Sequence, residues 1–192
     1  MVYESYFKSK FGNIYYNIKG QGEPIIMFHA TPRSSKSLNK LSQYLSNDHK
    51  VVSVDTLGFG KSDDIPYDTT INSISDVMIK LIEYLKFMEV SLFGLHTGNK
   101  IATAIAVRAP LLVNNLIVCG MTHSIILDKN IRTKSIKKIL NSNALSKINI
   151  DNDEKNERIR SKKSIDIIYK ANYEFDLTRE LSKVLANTLI LE

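Results

Sequence analysis

The chain has 192 residues, 43% of them hydrophobic and 24% charged, with 26 Lys and Arg against 20 Asp and Glu. That is ordinary globular composition, which excludes a collagen-like repeat, a disordered tract and a disulfide scaffold and fits one domain with room for a small insertion. No apolar run reaches the roughly 18 residues of a membrane helix, and Met1-Val2-Tyr3-Glu4-Ser5 does not read as a signal peptide. The single cysteine, Cys119, ends the apolar run Leu116-Ile117-Val118-Cys119, so it is expected to be a small buried hydrophobe in a reducing, cytoplasmic setting.

The first elements read as strands. Ser5 to Lys8 and Ile14 to Ile18 flank Phe11-Gly12-Asn13, a plausible hairpin connection. After Gly20-Gln21-Gly22, the run Pro24 to His29 is continuously apolar, the pattern of a parallel strand covered on both faces. Leu38, Leu41 and Leu45 follow at helical spacing, then a strand from Lys50 to Asp55. The clearest helix runs from about Ile71 to Lys86, where Ile74, Val77, Met78, Leu81, Ile82 and Leu85 make one apolar stripe. Val90 to Phe93 is a short strand, Asn99 to Ala109 a helix with Ile101, Ala102, Ile105 and Ala106 on one face, and Val113 to Cys119 a strand again.

Such alternation calls for an α/β fold, a mostly parallel sheet with helices on both faces. It organises the chain as a core over 1–120, a helical lid over 121–185 and the start of a further core strand over 186–192. The lid segment is the basic part of the molecule: residues 129–170 hold 12 Lys and Arg against 5 Asp and Glu. Because 20 of the 26 basic residues are lysines, and base readout and stacking favour arginine, a solvated face is preferred to a nucleic-acid surface.

In parallel sheets, ligands bind beyond the carboxyl ends of the strands. Three loops there carry chemistry: His29-Ala30-Thr31-Pro32-Arg33-Ser34-Ser35; Asp55-Thr56-Leu57-Gly58-Phe59-Gly60-Lys61-Ser62-Asp63; and Gly94-Leu95-His96-Thr97-Gly98. The last lies between a strand and an amphipathic helix, where a sharp turn needs small residues on both sides of its central position, and Gly94 and Gly98 supply them.

Together these loops resemble the α/β-hydrolase fold over nearly the whole chain. The first is similar to that family's His-Gly-x-Pro loop, with Ala30 in place of the glycine, and the likeness implies that the Thr31 N–H is an oxyanion donor. The second matches Asp-x-x-Gly-x-Gly-x-Ser through Ser62. The third falls at the nucleophile elbow Gly-x-Ser-x-Gly, with His96 at the nucleophile position. It resembles a subgroup whose elbow reads Gly-x-His-Thr-Gly, a likeness that implies no particular activity.

An imidazole has no hydroxyl to activate, so acyl-enzyme chemistry is not expected. The resemblance places the family's base histidine one strand beyond Asn187–Leu191, where this sequence has none, and leaves Asp128 as a remote acid. The expectation is a carboxyl-terminally truncated member with an incomplete triad.

Two functions remain open. In the first, a hydrolase acts on a small ester-like or carbonyl compound: His96 is catalytic, and the N–H groups of Thr31 and Thr97, beside a helix start that attracts anions, bind the substrate oxygen. In the second, the chain is an inactive binding or vestigial member of the same fold. His29, Ser34 and His123 are expected near the pocket. Three histidines at neighbouring strand ends raise zinc ligation, but no Asp or Cys at ligand spacing accompanies them, so no metal and no cofactor is expected. Expected partners are a small-molecule substrate and a second copy of the chain through an exposed sheet edge, with neither nucleic acid nor membrane.

Overall fold

The structure, a computed structural model, describes residues 2–121, 130–131, 134 and 162–192. Strands β1 (Val2–Ser9) and β2 (Gly12–Lys19) pair antiparallel in a register that joins Ser9 to Gly12. The turn is thus at Lys10-Phe11, earlier than the sequence suggested. Ser9 Oγ fixes it by donating to the Gly12 carbonyl (2.7 Å) and accepting from the Phe11 N–H (3.1 Å).

The remaining strands are β3 (Pro24–Phe28), β4 (Lys50–Val54), β5 (Val90–Leu95), β6 (Val113–Cys119) and β7 (Asn187–Leu191). They complete a seven-stranded sheet in the order β1-β2-β4-β3-β5-β6-β7. β2 meets β4 antiparallel, and every pair from β4 to β7 is parallel. This is the α/β architecture expected from the alternation of apolar runs. The chain turns from β3 to β4 on one side and to β5 on the other, the kind of switch point beyond whose strand ends such sheets bind ligands.

Side chains alternate between the two faces. Ile26, Phe28, Val52, Val54, Leu92, Leu116 and Val118 point into the main core. Ile25, Met27, Val51 and Phe93 form a smaller cluster with Leu38, against which Leu45, Ile117 and Cys119 also pack. Cys119 is half-buried, as a free thiol.

The main core is covered by α2 (Ile71–Tyr84) and α3 (Gly98–Arg108), and the smaller cluster by the short α1 (Asn39–Leu45). Helix α2 buries Ile71, Ile74, Val77, Met78, Leu81 and Ile82, each worth about 1.5–3 kcal/mol when fully removed from water. A reciprocal Thr70/Ser73 capping box starts it. It stops at Tyr84 rather than Lys86, and Lys86 itself adopts φ 58°.

Of the expected lid, the described part is α4 (Lys162–Glu174) and α5 (Leu177–Leu181). These helices join the core directly through Ile165, Ile167, Ile168, Ala171, Phe175 and Leu177. The buried Lys100 of α3 donates from Nζ to the Asn172 carbonyl in the last turn of α4 (2.5 Å). A cation is favourable at that end of a helix. At the far edge of the sheet, β7 leaves Leu189 (53%), Ile190 (55%) and Leu191 (41%) open. Among the described residues, no helix is long and apolar enough to cross a membrane.

Candidate active site

The turn between β5 and α3 is built as its sequence spacing demands. His96 holds φ 50°, in the left-handed region that costs an L-residue about 1–2 kcal/mol. A Cβ on Gly98 would overlap the Phe28 carbonyl, and one on Gly94 would lie 2.7 Å from Asn99 Cα, so both positions need glycine for close backbone approach. The His96 side chain is exposed at the strand ends. Its ring lies over Gly120, where a Cβ would come within 2.7 Å of Cε1 and 2.9 Å of Nδ1.

The end of β6 clamps this turn. The His96 N–H donates to the Cys119 carbonyl (3.0 Å), and the fully buried Asn99 brackets the same residue. Asn99 Nδ2 donates to the Cys119 carbonyl (2.9 Å), while Oδ1 accepts from the Cys119 N–H (3.0 Å). The Asn99 N–H in turn donates to the His96 carbonyl (3.1 Å). Sequence reading placed Asn99 only as the start of a helix. The available signal was a carboxamide at the start of a helix with a largely apolar face.

On the loop after β3, the Thr31 N–H donates to Thr97 Oγ1 at 2.6 Å, and that hydroxyl donates to Thr31 Oγ1 at 3.0 Å. The two residues expected to bind a ligand oxygen are thus in direct contact. The N–H of Thr97 has no hydrogen-bond partner among the described residues.

His29 and Ser34 serve the loops. His29 is 2% exposed, and its Nε2 accepts from the Thr56 N–H (3.1 Å). A backbone N–H can only donate, so the ring proton belongs on Nδ1, which faces the Ala30 carbonyl at 3.0 Å. The lone pair a metal or substrate would need is therefore engaged within the fold. Ser34 is buried and caps the 3₁₀ turn Ser35–Leu38, accepting from the Lys36 N–H.

Asp55, which the sequence marked only as the first residue of its motif, ties two loops together. Its carboxylate accepts from the Ser35 N–H (2.7 Å) and the Lys61 N–H (2.8 Å). Ser62, the last residue of that motif, donates to the Asp55 carbonyl (2.6 Å) and accepts from the Tyr15 N–H (2.9 Å). His123, Thr122 and Asp128 lie outside the described residues.

On the hairpin side, Lys61 Nζ meets Glu4 (2.7 Å) and stands 4.4 Å over the Tyr15 ring. The hydrogen bond from Lys61 holds the Glu4 carboxyl below its ordinary range and pushes the Lys61 ammonium up to about 12. Burial, then the bond with Glu4, pushes the Tyr15 phenol up to about 12.

A hollow of about 320 Å³ lies between β1 and α2 over Phe7 and Val77, and none of the expected site residues lines it. The chemistry therefore gathers at the strand ends: an exposed imidazole on a strained turn, a pair of threonines beside it, and a rigid polar scaffold behind.

Known proteins share the fold that carries these loops. A solved esterase from Exiguobacterium antarcticum superposes with a TM-score of 0.79 at 19% identity, covering 97% of this chain and 79% of that one. A hydrolase from Pseudomonas aeruginosa superposes with a TM-score of 0.77 at 14% identity, covering 97% and 78%. By sequence, the chain is 31% identical over 123 residues to a cis-3-alkyl-4-alkyloxetan-2-one decarboxylase from Shewanella oneidensis, covering 62% of this chain and 39% of that protein. It is 29% identical over 104 residues to an (E)-2-((N-methylformamido)methylene)succinate hydrolase from Acinetobacter baylyi, covering 54% and 40%. The chain thus spans about 40% of the length of these curated relatives. Residues 23–150 match the model of the alpha/beta hydrolase fold, and the chain belongs to that family.

Proposed function

We propose that the chain is an α/β-fold hydrolase of a small ester-like or carbonyl compound, with His96 as general base. The observation that carries this reading is the exposed imidazole held at φ 50° on the elbow, whose next residue, Thr97, meets the Thr31 N–H. In the reaction, the imidazole takes a proton from water while the water oxygen bonds to the carbonyl carbon. The carbonyl electron pair moves onto its oxygen, which the N–H groups of Thr31 and Thr97 receive. On collapse, the bond to the leaving group breaks and the imidazolium returns its proton to the departing alkoxide. The names of the curated relatives, one acting on an oxetan-2-one and one on a succinate derivative, support a small carbonyl-bearing substrate.

The second reading is a catalytically inactive binding member of the fold. The bond between the Thr31 N–H and Thr97 Oγ1 favours it, since one expected oxyanion donor is already occupied. Hydrolysis of a panel of small esters, lactones and β-diketones by the wild-type chain and by His96→Ala decides between them. Loss of turnover in the variant on at least one substrate supports the base; equal rates in both, or none in either, leave the binding reading.

A further inference from the structure

The Thr31 N–H has an acceptor already, and the acceptor is unusual. Thr97 stands at the N-cap of α3, where a threonine hydroxyl ordinarily accepts from an N–H of its own first turn. Here it makes no such bond. Its hydroxyl reaches the loop after β3 instead, accepting from the Thr31 N–H at 2.6 Å and donating to Thr31 Oγ1 at 3.0 Å. Thr97 Oγ1 thus fills the place that a ligand oxygen needs, and any ligand must displace it.

We propose that the Thr97 hydroxyl is an internal stand-in for the ligand oxygen and makes the site selective for charge. The proposal rests on the functional reading above and specifies what its oxygen site accepts. A neutral carbonyl offers Thr31 no stronger a bond than the hydroxyl it would replace. A full negative charge does, because hydrogen bonds to ionised acceptors are roughly twice as strong as neutral ones. The site therefore stays closed to a ground-state ester or ketone. It opens to a carboxylate, or to the oxyanion that forms once water has added. Binding energy is withheld from the substrate and released to the charged intermediate, the condition for acceleration rather than mere affinity. Thr97 is in this sense a specificity-determining residue.

The test uses two small probes of one shape, acetate and acetamide, titrated into ¹⁵N-labelled full-length chain at pH 7 while the Thr31 amide resonance is followed. In the wild type, acetate shifts that resonance and acetamide at equal concentration does not. Thr97→Ala empties the slot: its acetate dissociation constant falls about threefold to tenfold, the worth of one protein hydrogen bond, and acetamide now shifts Thr31. Thr97→Ser keeps the hydroxyl and restores the wild-type pattern. The rest of each spectrum reports that the variant is folded. Should Thr97→Ala unfold, the wild-type comparison and Thr97→Ser still decide.

Equal response to both probes in the wild type, no response to either, or a folded Thr97→Ala that binds acetate no more tightly overturns the proposal. Charge selection without His96-dependent turnover refutes the hydrolase reading alone. His96-dependent turnover without charge selection refutes this one alone.

Discussion

Replacing Asn99 tests whether the elbow is held by the clamp on Cys119. Asn99→Ala removes the Nδ2 bond at 2.9 Å and the Oδ1 bond at 3.0 Å, and it leaves the Cys119 N–H without its acceptor. The Cys119 carbonyl is less affected, because it keeps the His96 N–H at 3.0 Å. One lost bond is worth about 0.5–1.5 kcal/mol and an orphaned donor about 1–3 kcal/mol. Cys119 is only half-buried, which favours the lower half of these ranges and gives a loss of about 1.5–3 kcal/mol. For a chain of 192 residues, that lowers the melting temperature by roughly 3–12 °C. Asn99→Asp is the sharper variant. Its carboxylate still accepts from the Cys119 N–H, but the second oxygen faces the Cys119 carbonyl, and a helix start repays only about 0.3–1 kcal/mol of the buried charge. Burial and the facing carbonyl raise the folded-state pKa of the new carboxyl above its unfolded value of about 4. Its protonated form, which can donate to the carbonyl, therefore stabilises the fold below about pH 4, and this contribution is lost as pH rises through the folded-state value. Circular dichroism melts at pH 4 and pH 7 measure both effects, each variant against wild type at the same pH. A change of less than about 0.5 kcal/mol for alanine, or an aspartate deficit that does not grow from pH 4 to pH 7, refutes the clamp.

Gly98→Ala forces a methyl into the Phe28 carbonyl, so β3 and α3 must part; urea unfolding should show a loss above about 3 kcal/mol, and a wild-type midpoint would contradict the packing. Glu4→Gln removes the hydrogen-bond partner that helps lift the Tyr15 phenol, so in an absorbance titration one tyrosine should move down from about 12. The sign follows from the raised folded-state value: the Tyr15 contribution to stability is complete below its unfolded value of 10.0 and is lost as pH climbs toward about 12. Along β7, the open Leu189, Ile190 and Leu191 should give concentration-dependent association in sedimentation, which Ile190→Lys should suppress; a wild-type monomer at all concentrations would rule out the edge as a self-pairing surface.

The strands and main helices were legible because burial writes itself into apolar periodicity. Ile25 to Phe28 is buried throughout and reads as one apolar run, and the α2 stripe appears at helical spacing. The hairpin turn was harder to place because its determinants are polar. The Ser9 hydroxyl fixes the turn locally, and Asp63, fifty positions from Asn13, takes the Asn13 N–H at 2.7 Å. The site divides in the same way. Strand ends located the three loops, and the family resemblance marked the turn after β5, with its two glycines, as the elbow. Spacing says nothing about where a hydroxyl or carboxamide points, so the turn of Thr97 toward Thr31, 66 residues away, and of Asn99 toward Cys119, 20 away, emerged only with the fold.

The constraints on the elbow act on backbone: Gly98 lets the helix approach β3, Asn99 ties the turn to β6, and Gly120 leaves room for whatever stands above it. None of them demands an imidazole at position 96, and the left-handed φ of 50° works against one. Histidine visits that region more readily than most residues, yet glycine occupies it without steric strain. His96→Gly should therefore raise stability, by about 0.5–1 kcal/mol after glycine's backbone entropy is set against the strain relieved, since the exposed ring buries little. Paired with loss of turnover, that gain identifies the strain as retained for chemistry, because a side chain that only filled the turn would cost nothing to replace. A drop in stability on His96→Gly, measured by urea unfolding, would mean instead that the ring over Gly120 is a packing element, and the catalytic assignment of His96 would lose its physical support.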